Sequence, residues 1–202
     1  MVIAYHVDFG TYGFWLPNDQ RGSGSTYVGS KRLLPYGEAT KVYTRHSRAA
    51  VPHDRQLRRM AKEALKYDPV EFTADQMLSV ATGFANVLKT TGCVLFACSI
   101  LKNHIHLVPD RPPYNVEQLV NLLKGGASRQ LELDGLHPFM NHRKLDGSLP
   151  SPFQEDCWKV FLNTDRDIVR SVNYTNDNPE KHGMPRQQWW FVTEFVPRHR
   201  RS

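Results

Sequence analysis

Only three of the 202 residues are cysteine, Cys93, Cys98 and Cys157, and no two of them share a C-x-x-C spacing. An odd, scattered set supplies neither a disulfide framework nor a thiolate zinc site, and it fits a reducing cytoplasm. No apolar run approaches the roughly 20 residues that a membrane-spanning helix needs. The opening Met1 to Phe9 has no basic lead and no long apolar region, so no export signal or membrane anchor is expected. Internal repeats and low-complexity tracts are also missing, which argues against solenoid and disordered architectures. Acidic residues are the minority, 20 against 26 Lys and Arg, for a formal charge of +6. That excess suits a polyanionic partner without demanding one. With 40% hydrophobic residues, the length suffices for one domain with a real core and is short for two.

What is present reads as a mixed chain. Val2 to Phe9 alternates like a strand, and Gly10 to Gly37 is crowded with turn residues, the start of an insertion that extends to about residue 72. Leu57, Met60, Ala61, Ala64 and Leu65 have helical spacing, while Arg55, Arg58, Arg59, Lys62 and Lys66 make the rest of that helix basic. This is either a solvated face or a ridge that faces phosphates. Thr73 and Gln76 form a capping-box pattern ahead of the stripe Met77, Val80, Ala81, Phe84 and Leu88, which stops at Gly92. Cys93 to Leu101 predicts a strand, with Lys102-Asn103 as the reversal into a second one, Leu101 to Pro109. A further helix is expected from Asn115 to Leu133 despite Gly125 and Gly126, which weaken it locally. Trp158 to Leu162 then reads as a strand, and Thr164 with Asp167 caps a helix that carries Ile168, Val172 and Tyr174. Trp189 to Val196 is expected as a last strand, before the basic tail Arg198 to Arg201. The order strand, insertion, helix, hairpin, helix, strand, helix predicts an α+β fold: a ferredoxin-like split βαβ antiparallel sheet in one domain, 1–202, with the insertion at about 10–72 and an added C-terminal helix.

Two histidines flank one apolar residue in the second hairpin strand, His104-Ile105-His106. On a strand the two imidazoles share a face while Ile105 and Leu107 face the other way, which makes half of a divalent-metal site or a satisfied structural pair. In the late helix, Tyr174 points away from the stripe Ile168, Val172 and Thr175, and Asn178 lies one turn further along the same side. Pro179 pushes Asn178 toward non-helical geometry, at or past the last turn. His6 on the first strand is a general-base candidate by position, and a structural histidine otherwise. Lys124, Ser128 and Arg129 lie at the Gly125-Gly126 pair, where small residues would let a phosphate backbone approach. Tyr12, Phe14, Trp15, Trp189 and Trp190 could stack unpaired bases or cover the core.

Taken together, LKNHIHLVPD (101–110) resembles the HUH motif of single-tyrosine transposases, and YTNDNPEKHG (174–183) resembles their tyrosine helix. The similarity is greatest to the REP-associated tyrosine transposases. AYHVDFGTYGFWLPNDQRG near the start and LKGGASRQL in the second-helix segment add to it. The resemblance implies that His104, His106 and Asn178 ligate Mg²⁺ or Mn²⁺ and that Tyr174 is the nucleophile of a single-strand DNA endonuclease and strand transferase. It further implies a covalent phosphotyrosine intermediate, a single-stranded DNA partner with a hairpin near the cut, and a possible homodimer. Related transposases often carry Gln in place of Asn178. Two other classes stand beside this one. A histidine-triad nucleotide hydrolase would need a third alternating histidine, where this chain has Val108. A catalytically silent DNA- or RNA-binding regulator on the same sheet would keep all the chemical residues.

Overall fold

The structure, a computed structural model, describes residues 1–17, 19, 28, 30–38 and 54–197. The expectations for the rest of the insertion and for the basic tail lie outside the described residues. The elements are β1 (Ala4–Gly10), α1 (Arg55–Glu63), α2 (Ala74–Thr91), β2 (Leu95–Ile100), β3 (His104–Pro109), α3 (Val116–Leu133), β4 (Trp158–Leu162) and α4 (Asp165–Lys181). The strands form one antiparallel sheet in the order β2-β3-β1-β4, the expected split βαβ arrangement. No helix among the described residues is long and apolar enough to cross a membrane.

Local chemistry sets the element ends. Thr73 and Gln76 close a reciprocal capping box on α2, and Gly92, at φ +70°, ends that helix in a left-handed turn open to few other residues. Thr164 and Asp167 repeat the capping box on α4. The β2–β3 reversal is tied by Leu101 N–H donating to the His104 carbonyl at 2.9 Å. A bulge between Leu95 and Ala97 then turns Leu95 to one face of the sheet and Ala97 to the other.

The two faces bury different things. Val7, Phe9, Cys98, Ile100, Ile105 and Leu107 point toward α2 and α3 and form the main core with Val80, Phe84, Leu119 and Leu123. The opposite face packs α4 through a small cluster, Ala4, Ala97, Val108, Leu162 and Ile168, and gives the rest of its area to polar side chains. α4 runs through Pro179 to Lys181, so Asn178 lies inside the helix, one turn past Tyr174 as its spacing predicts, and Pro179 does not push it out. The proline ring sits in the last turn, where the Pro179 carbonyl still accepts from His182 N–H and Met184 N–H.

One more expectation changes. Trp189 to Val196 is not a strand: the chain turns there, with Val192 N–H bonded to the Trp189 carbonyl, and touches β2 through one bridge at Val192. The neighbouring Gln187 amide occupies the edge of β2 instead, accepting from Ile100 N–H and donating to the Ile100 carbonyl, both at 2.8 Å. α3 is continuous through Gly125 and Gly126, as expected. Their roles differ. Gly126 and Gly83 allow α2 and α3 to approach closely, and a Cβ on Gly83 would lie 2.6 Å from the Ala127 Cα. A Cβ on Gly125 would meet nothing nearer than the Arg129 guanidinium at 3.7 Å. Gly83→Ala should therefore lose about 1–3 kcal/mol through forced separation of the helices, while Gly125→Ala should gain about 0.5–1 kcal/mol of helix stability. Urea unfolding midpoints at constant m-value check both signs.

Candidate active site

Strand alternation assembles the site on the α4 side of β1 and β3. His6 and Asp8 share that side with His104 and His106, and the register sets Asp8 opposite His106 and Gly10 opposite His104. His6 Nε2 and His106 Nδ1 are 3.3 Å apart. One ligand atom each from His6, Asp8 and His106 fall within 4.8 Å of one another. Ligands about 2.0–2.2 Å from one cation can be no more than about 4.4 Å apart, so shifts of a few tenths of an ångström would close the trio around an ion.

The chemistry of this donor set fits a metal. Burial pushes His6 down to about 4, and burial together with the charges of His104, His6, His182 and Lys181 pushes His106 lower still. Both imidazoles are therefore neutral at pH 7, with a nitrogen lone pair available to a cation. Burial raises Asp8 to about 7, the mark of a carboxylate shut away from water. Two imidazoles and a carboxylate suit a first-row divalent ion such as Mn²⁺ better than Mg²⁺, which prefers oxygen throughout.

His106 belongs both to this trio, gathered from His, Cys, Asp and Glu side chains alone, and to the expected set His104, His106 and Asn178. His104 lies beside the trio, its ring centroid 5.0 Å from that of His106. It is held by the Asn103 side-chain oxygen at 2.8 Å from Nδ1 and by Phe14, whose ring stacks on it at 4.9 Å and 10°. His182, at the C-cap of α4, completes a row of imidazoles 5.1 Å beyond His104. Asn178 is buried on α4 with an amide nitrogen that has no hydrogen-bond partner, as do the hydroxyls of Thr175 and Ser99. Ser99 lies directly across from His106 in the β2–β3 ladder.

Tyr174 comes to the same place. Its ring is 5.6 Å from that of His6 and 5.7 Å from that of His106, centroid to centroid, and the side chain is 46% exposed. The Lys181 ammonium sits 4.6 Å from the centre of the phenol ring, two helical turns further along α4. A half-exposed phenol ring with two neutral imidazoles and a cation around it is available for chemistry.

The three residues expected at a DNA contact are not part of this site, because α3 packs on the other side of the sheet. Lys124 turns inward, with its ammonium donating to the carbonyls of Gln154, Glu155 and Asp156 at 2.7–3.0 Å, and it ties that loop to α3. Ser128 is bonded to His137 Nε2 at 3.1 Å, and only Arg129 is exposed. Of the aromatics in the insertion, Phe14 stacks on His104 and Trp15 packs edge-on against Phe14, while Tyr12 packs with Tyr67 and Phe139 in the core region. The sequence reading missed Asp8, Lys181 and His182. Asp8 follows His6 by two residues on a strand, the same signal that singled out His104 and His106.

No family model matches the chain, and no curated protein matches it. Solved structures do. One is a REP-associated tyrosine transposase bound to a REP hairpin, at 12% identity and a TM-score of 0.47 over 91% of this chain and 70% of that one. Another is a Deinococcus radiodurans R1 protein described as a transposase, at 11% identity and a TM-score of 0.38 over 86% of this chain and 88% of that one.

The geometry makes a choice between ligand sets measurable. At an Mn²⁺ concentration about 100 times the dissociation constant, binding should add roughly 2.7 kcal/mol and raise the thermal midpoint by several degrees. Asp8→Asn and His106→Ala should abolish that rise and His104→Ala should leave most of it. Loss of the rise in His104→Ala and in His106→Ala, with the rise kept in Asp8→Asn, would restore the His104–His106–Asn178 set. A second expectation concerns Lys124, whose burial lowers it to about 8. The folded chain holds this proton less tightly than the unfolded chain does, so the cost of the buried ammonium is fully present below pH 8 and is relieved as pH rises toward 10.5. Wild type minus Lys124→Met stability should climb by about 2–3 kcal/mol across that window, read from urea unfolding at pH 7.5 and 10.5.

Proposed function

We propose that this chain is a metal-dependent, single-tyrosine endonuclease and strand transferase acting on single-stranded DNA. The observation that carries the proposal is Tyr174 lying against His6 and His106, the imidazoles that share a metal-fitting trio with Asp8. The sequence likeness of 101–110 and 174–183 to the HUH and tyrosine-helix motifs supports the same reading.

When bound, a divalent ion would polarise the scissile phosphate and offset the charge that grows in the transition state. His6, Asp8 and His106 would hold it, with the Asn178 amide as a further candidate. The Tyr174 hydroxyl oxygen forms a bond to phosphorus as the bond from phosphorus to the departing sugar oxygen breaks. The phenol loses its proton to solvent, and the departing oxygen gains one. The Lys181 ammonium lies over the phenol ring. A sugar hydroxyl from another DNA end then reverses the exchange at the phosphotyrosine, so joining needs no ATP. Tyr174 faces histidines of its own chain, which supports cleavage within one protomer. A hairpin in the DNA near the cut is the recognition element that the motif likeness suggests.

Labelled single-stranded oligonucleotides incubated with the protein and Mn²⁺ should yield an adduct that survives denaturation. Tyr174→Phe should remove it entirely. Asp8→Asn or His106→Ala should lower its rate by about 100-fold or more while leaving the unfolding midpoint of the metal-free protein within a few degrees. If the wild-type protein forms no adduct with any hairpin-bearing strand, it is a binding protein and the proposal fails.

A further inference from the structure

α1 carries Arg55, Arg58, Arg59 and Lys62 against one acid, Glu63, in nine residues. The placement of these charges runs against the helix. The N-terminal end of a helix is positive and favours acidic residues, yet the first turn of α1 holds Arg55 and Arg58 and no acid. The nearby Asp54 is used as the N-cap, accepting from Leu57 N–H at 2.8 Å. The helix is also locked in place, because the Arg58 guanidinium lies 2.9 Å from the carboxylate of Asp19, whose side chain is fully buried. The Arg59–Glu63 contact is between exposed groups 3.8 Å apart and offsets little of the charge.

All four cations line one wall of a cleft of about 590 Å³ whose other wall includes Phe14, Val70 and Asn103, with Glu71 the one acidic residue among the described residues that line it. That far wall is the back of the candidate active site. Asn103 holds His104 by its side-chain oxygen, and Phe14 stacks on the same imidazole. The wall is rigid. Thr11 donates to the Val70 carbonyl at 2.6 Å, and Phe72 N–H donates to the Lys102 carbonyl at 2.6 Å, so the 70–72 segment is laced to the end of β1 and to the β2–β3 turn. A strand whose phosphate reached the His6–Asp8–His106 trio and continued past His104 would enter this cleft next.

We infer that the α1 cleft binds the sugar–phosphate backbone of the DNA strand beside the scissile phosphate, an inference that rests on the proposal that the chain acts on single-stranded DNA. Phosphate oxygens supply the negative charge that the N-terminal turn of α1 lacks, and guanidinium groups pair with them in bidentate geometry. Because the contact is to backbone, it contributes affinity and positioning with no dependence on base sequence.

Binding is read on Tyr174→Phe protein, so that cutting plays no part, by fluorescence anisotropy of a labelled single-stranded DNA over a series of salt concentrations. Each phosphate contact on a single strand contributes about 0.7 to the slope of log affinity against log salt. Replacing Arg55, Arg59 and Lys62 together by Gln should reduce the slope by about 2 and weaken binding more than tenfold at low salt. The charge-keeping set Arg55→Lys, Arg59→Lys and Lys62→Arg should restore the slope, which a loss of folding would not allow. A slope unchanged by the Gln set overturns the inference. Equal binding of heparin or RNA, with equal loss in the Gln set, also overturns it by showing a general cationic surface. Loss of slope in a protein whose wild type forms no phosphotyrosine adduct would sink the catalytic proposal and leave the cleft standing.

Discussion

Antiparallel pairing of β1 with β3, in the register that sets Asp8 across from His106, controls what faces α4. Because side chains alternate along a strand, moving either strand by one residue would exchange its two faces. Val7 and Phe9, or Ile105 and Leu107, would leave the main core, at a cost on the order of 5 kcal/mol for two large side chains. The polar residues contribute no comparable preference. The position of the imidazoles and the carboxylate is therefore fixed from behind, by apolar side chains that never touch them.

The polar side of the sheet is the less stable side. His6 and His106 are kept neutral, and Asp8 loses its proton only near pH 7. Ser99, Thr175 and Asn178 each bury a polar atom without a partner, and such atoms cost about 1–3 kcal/mol apiece. α4 tolerates this because its first half is anchored elsewhere, by the capping box at Thr164 and by Ile168 in the second apolar cluster. Concentrating unsatisfied polar groups where a helix meets a sheet is how folds carry functional sites, since consistency at every position would leave nothing able to bind.

Much of this was legible in the chain. The order of elements, the capping boxes at Thr73 and Thr164, the hairpin and the face-sharing of His104 with His106 all depend on neighbours within a few residues, and local periodicity records them. The nearness of Tyr174 to the imidazoles came from likeness to a motif, since nothing local joins residues seventy apart. What failed was long-range or competitive. The His6-x-Asp8 pair on β1, which lies alongside His106 with the same period-two signal, went unread. Lys124 read as a surface cation because its sequence neighbours are small, but three carbonyls of a distant loop draw it inward. The Trp189–Val196 run has the composition of a strand, and it lost its place beside β2 to a single glutamine side chain.

That glutamine has a wider effect. Sheets grow by offering unused amide and carbonyl groups at their borders to another strand. Here the border at β2 is stoppered by Gln187 and by the Thr193 amide bonded to the Leu95 carbonyl. The opposite border, β4, presents exposed Val160 and Phe161, with Lys159 paired to Glu117 beside them. Any strand added to this sheet, whether from a neighbour or from a misfolded copy, is thereby steered to one end of it.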